Sequence, residues 1–157
     1  MNIFILDTDI KKCAEYHVDK HTVKMVLETT QLLNNALIKN VIDYNPVYKQ
    51  THKSHPASIW ASESRENFEW LLNLGFALCK EYTFRYEKIH KCQSIIESFS
   101  NYKDNIPNNG LTPFVKCMPD QYKVDDVVES YRNYYRNDKA YIANWKNRNI
   151  PEWWNIK

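Results

Sequence analysis

CAEYHVDKHTVKMVLETTQLLNNALIKN, residues 13–40, is the stretch on which the fold turns. It contains neither Pro nor Gly, so nothing in it forbids a long helix. Val18, Met25, Leu32 and Leu33 recur at helical spacing, and Val26 and Leu37 widen the same apolar stripe. On that winding His17, His21 and Glu28 fall roughly on one face. An imidazole and a carboxylate beside a buried stripe suit proton transfer and charge stabilisation. The same pair also suits a plain helix surface, with Glu28 paired to Lys24, and spacing leaves both readings open.

Working outward, a chain of 157 residues fits one domain, residues 1–157, that buries about two-thirds of its unfolded surface. The 43% hydrophobic and 25% charged content is that of a folded chain. With only 2 Gly, a P-loop or a dinucleotide-binding turn is excluded, and tight hairpins are disfavoured. Aromatic content is high, with 11 Tyr and 5 Trp, so rings either fill the core or stack on a ligand. The net charge of +2 allows a local nucleic-acid patch without demanding one. No apolar run reaches membrane-spanning length and MNIFILD lacks a basic leader, so neither a membrane association nor a signal peptide is expected. Cys13, Cys79, Cys92 and Cys117 include no C-x-x-C pair and read as reduced thiols of a cytoplasmic protein.

The other elements follow from local signals. Asn2 to Leu6 predicts a strand or an extended N-terminal arm, and Asp7 to Asp9 offer caps for a short helix near Ile10. A kink near His17 to Asp19 precedes the long helix, and a loop runs from Val41 to His55. Pro56 opens a second long helix, marked by Trp60, Asn67, Trp70, Leu71, Leu74, Leu78, Tyr82 and Arg85 and running to about His90. Gly75 on that helix predicts a close approach to another. A shorter helix covers Lys91 to Phe99, and a long ordered loop follows near residues 100–122, rich in Pro. Asp125 to Arg136 predicts the last helix, and Asp138 caps a further turn to Trp145. The expected fold class is all-α.

Several groups bear chemistry. Cys13, His17 and His21, with His52 and His55, have the residue types of a zinc site. Three ligands in one straight column, however, do not converge on one ion. Thr51 to Pro56, with His52, Lys53 and His55, leads into a helix N-terminus and suits a phosphate or an ordinary cap. Arg85 and Lys88 serve either as dipole and salt-bridge partners or as phosphate ligands. The tail interleaves cations and rings at Trp145, Lys146, Arg148, Trp153 and Trp154, the composition of a nucleic-acid face and equally of an aromatic core.

In Asp19-Lys20-His21, with Glu28 seven residues after the His, the chain resembles the small phage-type pyrimidine-dimer DNA glycosylases, the endonuclease V family. In that family a short arm precedes a helix carrying a D-x-H triplet and a catalytic Glu. Glu81-Tyr82-Thr83-Phe84-Arg85-Tyr86 is similar to the end of the family's second long helix, and Arg148 to Trp154 to its aromatic tail. The resemblance implies a glycosylase and abasic-site β-lyase acting on damaged or modified DNA, with neither metal nor other cofactor. It implies that the α-amine of residue 1 attacks the sugar C1′, that Glu28 stabilises charge and moves the proton, and that His21 positions the sugar or phosphate. Family members expose a small residue once Met is removed. Here Asn2 follows Met1, so either residue supplies the amine. The family's arginines beside the Glu are replaced by Leu27 and Gln31, leaving Lys24 as the nearest cation. The expected DNA contacts are Lys24, His52, Lys53, His55, Arg85, Lys88, Arg148, Trp153 and Trp154. Two other readings remain: a non-catalytic nucleic-acid or nucleotide binder, and a metal-dependent hydrolase centred on histidine.

Overall fold

The computed structural model describes residues 1–155. It is all-α: among the described residues there are six α-helices and no strand. They are α1 (Ile10–Tyr16), α2 (Asp19–Asn40), α3 (Pro56–Glu63), α4 (Arg65–Tyr86), α5 (Gln93–Phe99) and α6 (Val127–Asp138). Short 3-10 turns lie at Ser100–Asn105, Asp120–Tyr122, Ala140–Ile142 and Glu152–Asn155. The long helix α2 packs against α3 and α4, while α1 lies on α4. Thirteen of its residues are buried, Met25, Leu32, Leu33 and Leu37 among them. No described helix is long and apolar enough to cross a membrane.

Gly75 marks the closest helix contact. A Cβ there would stand 3.2 Å from Thr29 Cγ2 on α2 and 3.3 Å from Ile96 Cδ1 on α5. The missing side chain therefore lets α2, α4 and α5 meet, as its position in the sequence predicts.

The N-terminal residues form an arm rather than a strand, with Ile3, Phe4, Ile5 and Leu6 buried. A buried arm without a sheet partner must find other partners for its peptide groups. Arg132 Nε of α6 donates to the Leu6 carbonyl at 2.9 Å, and Cys13 Sγ to that of Phe4 at 3.2 Å. Asn2 is held at both ends of its amide. Its Nδ2 donates to the Cys117 carbonyl at 2.8 Å, and its Oδ1 accepts from Tyr131 at 3.0 Å.

The kink expected near His17 is a full break, and one helix expected to be continuous is divided. His17 and Val18 are extended, which separates α1 from α2. The carbonyls freed at the end of α1 are taken by Arg85: Nη2 bonds Glu15 O at 2.9 Å and Nη1 bonds His17 O at 2.7 Å. The second long helix breaks at Ser64, whose side chain accepts from Asn67 N at 3.1 Å as a cap. The long loop docks on that elbow. Arg65 N donates to Pro107 O at 2.8 Å, Trp60 Nε1 to Thr112 O at 3.3 Å and Gly110 N to Glu66 at 2.9 Å.

Asp126, one residue later than expected, caps α6 by accepting from Glu129 N at 2.9 Å. Asp138 is not a cap for the turn that follows, because its carboxylate accepts from the Tyr122 hydroxyl at 2.6 Å. The C-terminal tail folds back over α1. Trp145 Nε1 donates to Tyr16 O at 2.9 Å, and Lys146 N to Asp19 at 2.8 Å.

Candidate active site

The middle of α2 carries Glu28, whose side chain retains 11% of its exposure. A carboxylate that far from water is unfavourable unless charge meets it. The arm supplies that charge. The α-amine of Met1 stands 3.2 Å from Glu28 Oε1, and the Met1 side chain is itself only 3% exposed. The Asn2 anchors to Cys117 and Tyr131 fix the amine at this position.

Two further groups feel the charge of the amine. His55, the residue before α3, accepts from Ala57 N through Nδ1 at 3.1 Å. Burial is the main cause that lowers its pKa; the α-amine and His52 add to the fall, and Glu28 opposes them. Cys117 is raised chiefly by burial, and the α-amine and the Ala57 backbone lie close enough to act on its thiol. Glu28 is therefore the amine's ion-pair partner, and His55 and Cys117 lie within electrostatic reach of it.

His21 sits about two turns earlier on α2, roughly 10 Å along the axis. Its ring stacks on Phe4 of the arm, with centroids 4.6 Å apart, and its Nδ1 lies 2.7 Å from the Tyr135 hydroxyl. Tyr135 is fully buried, and a buried phenol proton needs an acceptor. We therefore assign the hydroxyl as donor to Nδ1, which leaves the imidazole proton on Nε2. Burial holds the pKa of His21 down to about 3, helped by the charges of His17, Lys139 and Lys24. The ring is neutral at ordinary pH.

A primary amine held against a carboxylate can pass it a proton and become a nucleophile. Among the expected DNA contacts, Lys24 is exposed on α2 and Lys88 on the linker after α4. That linker is tied to α2, because His90 Nε2 lies 3.1 Å from the Val23 carbonyl. His52 and Lys53 are exposed on the turn leading to His55, and His52 adopts a positive φ of 52°.

A family model described as pyrimidine dimer DNA glycosylase matches residues 1–94. The chain belongs to that family. It is thereby placed among DNA-repair glycosylases, and the matched region holds the arm, α1 to α4, Glu28 and His55. Comparison with curated proteins and with solved structures returned no match.

Several of the expected DNA contacts have partners within the protein. Arg85 has a side chain with 0% exposure, bonded to Glu81 at 2.9 Å and to Asp19 at 3.0 Å besides the α1 carbonyls. It is a structural hub, because helix α1 ends on it. Arg148 is committed to the same knot, with Nε 2.8 Å and Nη2 3.0 Å from the two oxygens of Glu81. Trp153 is buried under the Arg132 guanidinium, 5.1 Å from the ring centroid, and Trp154 packs edge-on against Trp145. These rings hold the tail down.

The histidine column does not form either. Cys13 and His17 belong to α1 and its end, and both turn inward: Cys13 Sγ to Phe4 O, and His17 Nδ1 to Cys13 O at 2.7 Å. Among the described residues no group of three or more His, Cys, Asp or Glu side chains is arranged to hold a metal ion. The spacing gave no hint of Phe4, Cys117, Tyr135 and Lys139 as site neighbours. Tyr131, Tyr134 and Tyr135 do share one face of α6 at helical spacing, but that pattern reads equally as core.

Proposed function

We propose that the protein excises a pyrimidine from a dimer lesion in DNA and cleaves the resulting abasic site, with the α-amine of residue 1 as nucleophile and Glu28 as acid, base and charge stabiliser. The observation that carries this reading is the 3.2 Å pair between the α-amine and Glu28, in a chain that belongs to the pyrimidine dimer glycosylase family.

Proton transfer from the ammonium to Glu28 frees the nitrogen lone pair. The amine then attacks C1′; the N–C1′ bond forms while the glycosidic bond breaks, its electron pair leaving with the base. The sugar ring opens as C1′–O4′ breaks: Glu28 passes to O4′ the proton it took from the amine, the attacking nitrogen sheds its extra proton to water, and an iminium remains on C1′. Glu28, as carboxylate, removes a C2′ proton, and the C3′–O bond breaks with the 3′ phosphate as leaving group. The developing positive charge at C1′ is met by Glu28 in a largely dry site, where the attraction is strong. Neutral His21 offers Nε2–H to the sugar or phosphate, and Lys24, Lys53 and Lys88 are available to the phosphate backbone.

We also infer that residues 1–157 act as one domain, because arm, α1 and tail share contacts across the chain. The four cysteines are unpaired, which suits a reducing compartment.

The test is the intact mass of the protein before and after borohydride treatment with abasic-site duplex. The expected result is one covalent DNA adduct per chain, lost when the α-amine is blocked. Absence of an adduct with wild type would remove the nucleophile. The same measurement reports whether residue 1 is Met1 or Asn2.

A further inference from the structure

Three observations meet at His55, and they go beyond its service as a helix cap. The first is its fixed tautomer. Ala57 N donates to Nδ1 at 3.1 Å, so that nitrogen is the acceptor, and the proton of the neutral ring must sit on Nε2. The second is its rigid seat. His55 N donates to His52 O at 3.0 Å and its carbonyl accepts from Ile59 N at 3.0 Å, which holds the backbone on both sides of the ring. The third is its location. The ring lies within electrostatic reach of both the α-amine and Glu28, and the adjoining Ala57 backbone borders Cys117, whose carbonyl anchors Asn2. Nε2–H has no partner among the described residues, and the residue is only partly buried.

We propose that His55 is a catalytic residue whose Nε2–H donates a hydrogen bond to the departing pyrimidine, at the carbonyl oxygen next to the glycosidic nitrogen. This rests on the amine-attack reading and adds the partner for the leaving group. As C1′–N breaks, the electron pair passes to the base and is shared by that oxygen. A donor aimed there stabilises the charge as it forms. No proton need be transferred, since the base, still held to its neighbour by the cyclobutane ring, takes one from water once C1′–N is broken. Burial and the neighbouring ammonium keep the imidazole neutral, so the donor enters without adding a second cation beside the amine.

Substitutions separate this role from capping. His55→Asn keeps a side-chain acceptor for the Ala57 N–H and deletes the Nε2–H, whereas His55→Gln places an N–H near the Nε2 position. Two substrates are used: a duplex with a cyclobutane pyrimidine dimer, and a duplex with an abasic site, which has no base to expel. The expected result for His55→Asn is single-turnover excision slowed about 100-fold with borohydride trapping on abasic DNA within about twofold of wild type. His55→Gln is expected to recover part of the excision rate, with wild-type melting temperature in both. Wild-type excision by His55→Asn, or equal loss on both substrates by a folded variant, overturns the assignment. If His55→Asn does not fold, a folded His55→Gln decides: excision as slow as that of His55→Ala overturns it. Absence of any wild-type adduct on abasic DNA overturns the amine reading itself, and this inference with it.

Discussion

Two buried carboxylates, Glu28 and Glu81, face cations in this molecule and are used in opposite ways. Glu81 receives Arg85 Nε at 2.9 Å and two bonds from Arg148, and Arg85 spends its remaining donors on Asp19 and the end of α1. Burial opposes the charge of Glu81, but the bonds from Arg148 and Arg85 outweigh it, and its pKa is lowered. Glu28 has a single charged partner among the described residues, the α-amine, and that partner is a nucleophile. Saturation is what separates a structural carboxylate from a reactive one. A saturated ion cluster resists change, whereas a singly paired carboxylate retains lone pairs for a substrate.

Substitution at the two carboxylate regions separates them most sharply. Glu28→Gln is expected to lower excision about a thousandfold while changing the melting temperature little, because the isostere fills the same space and the amine left without its partner can shed its proton. Equal loss of activity and fold would erase the contrast. Arg85→Ala is expected to destabilise the protein by about 3–5 kcal/mol, because it leaves buried Glu81 with Arg148 alone, empties a buried site and uncaps α1. Arg85→Lys should recover little of this, since one ammonium cannot reproduce a fork that serves four acceptors. Chemical denaturation of both variants measures the difference.

Legibility in the sequence followed the same division. The helical class, the cap at Asp9 and the close approach at Gly75 were readable, because period, capping and the absence of a side chain act within a few residues. An interruption near His17 was readable too, but the break at Ser64 was not, since it is stabilised by a residue distant in the chain, Pro107. Arg85 looked like a DNA ligand because a charged residue at the end of a helix is usually exposed. Its burial depends on three other segments folding onto it. His21 and Glu28 stood out by their spacing, whereas Cys117 and Tyr135 came from beyond residue 100, where no local pattern pointed back to the arm.

Acid should affect the knot before it affects fold elements elsewhere. His17, whose carbonyl is bound to Arg85, has its pKa lowered from 6.5 to about 4, with burial the largest cause and Arg85 contributing. His21 falls to about 3. Below pH 6.5 the unfolded chain binds protons that the folded chain refuses, so stability declines as pH falls from 6.5 towards 4. The share from His17 is roughly 3 kcal/mol across that window. Glu81, whose pKa is lowered, adds a further loss below about 4.5. Urea midpoints measured against pH should show this slope, and His17→Asn should flatten it. A wild-type midpoint constant between these limits would mean that His17 titrates freely.

The smallest expected effect concerns which cations DNA can use. Lys24 is exposed beside His21 and acts on that ring without an ion-pair partner among the described residues. Arg148 carries the same charge but already holds both oxygens of Glu81 and lies 3.9 Å over the Phe84 ring. Only an uncommitted cation displaces counterions from DNA when it binds. Lys24→Ala is therefore expected to reduce the slope of log K against log salt by about 1, so that the affinity change between 50 and 200 mM salt shrinks about three- to fourfold. Arg148→Ala should weaken the fold and leave that slope unchanged. A slope that moves for Arg148→Ala and not for Lys24→Ala would place the DNA on the tail side of the molecule, away from the α-amine, and would oppose the site built on Glu28.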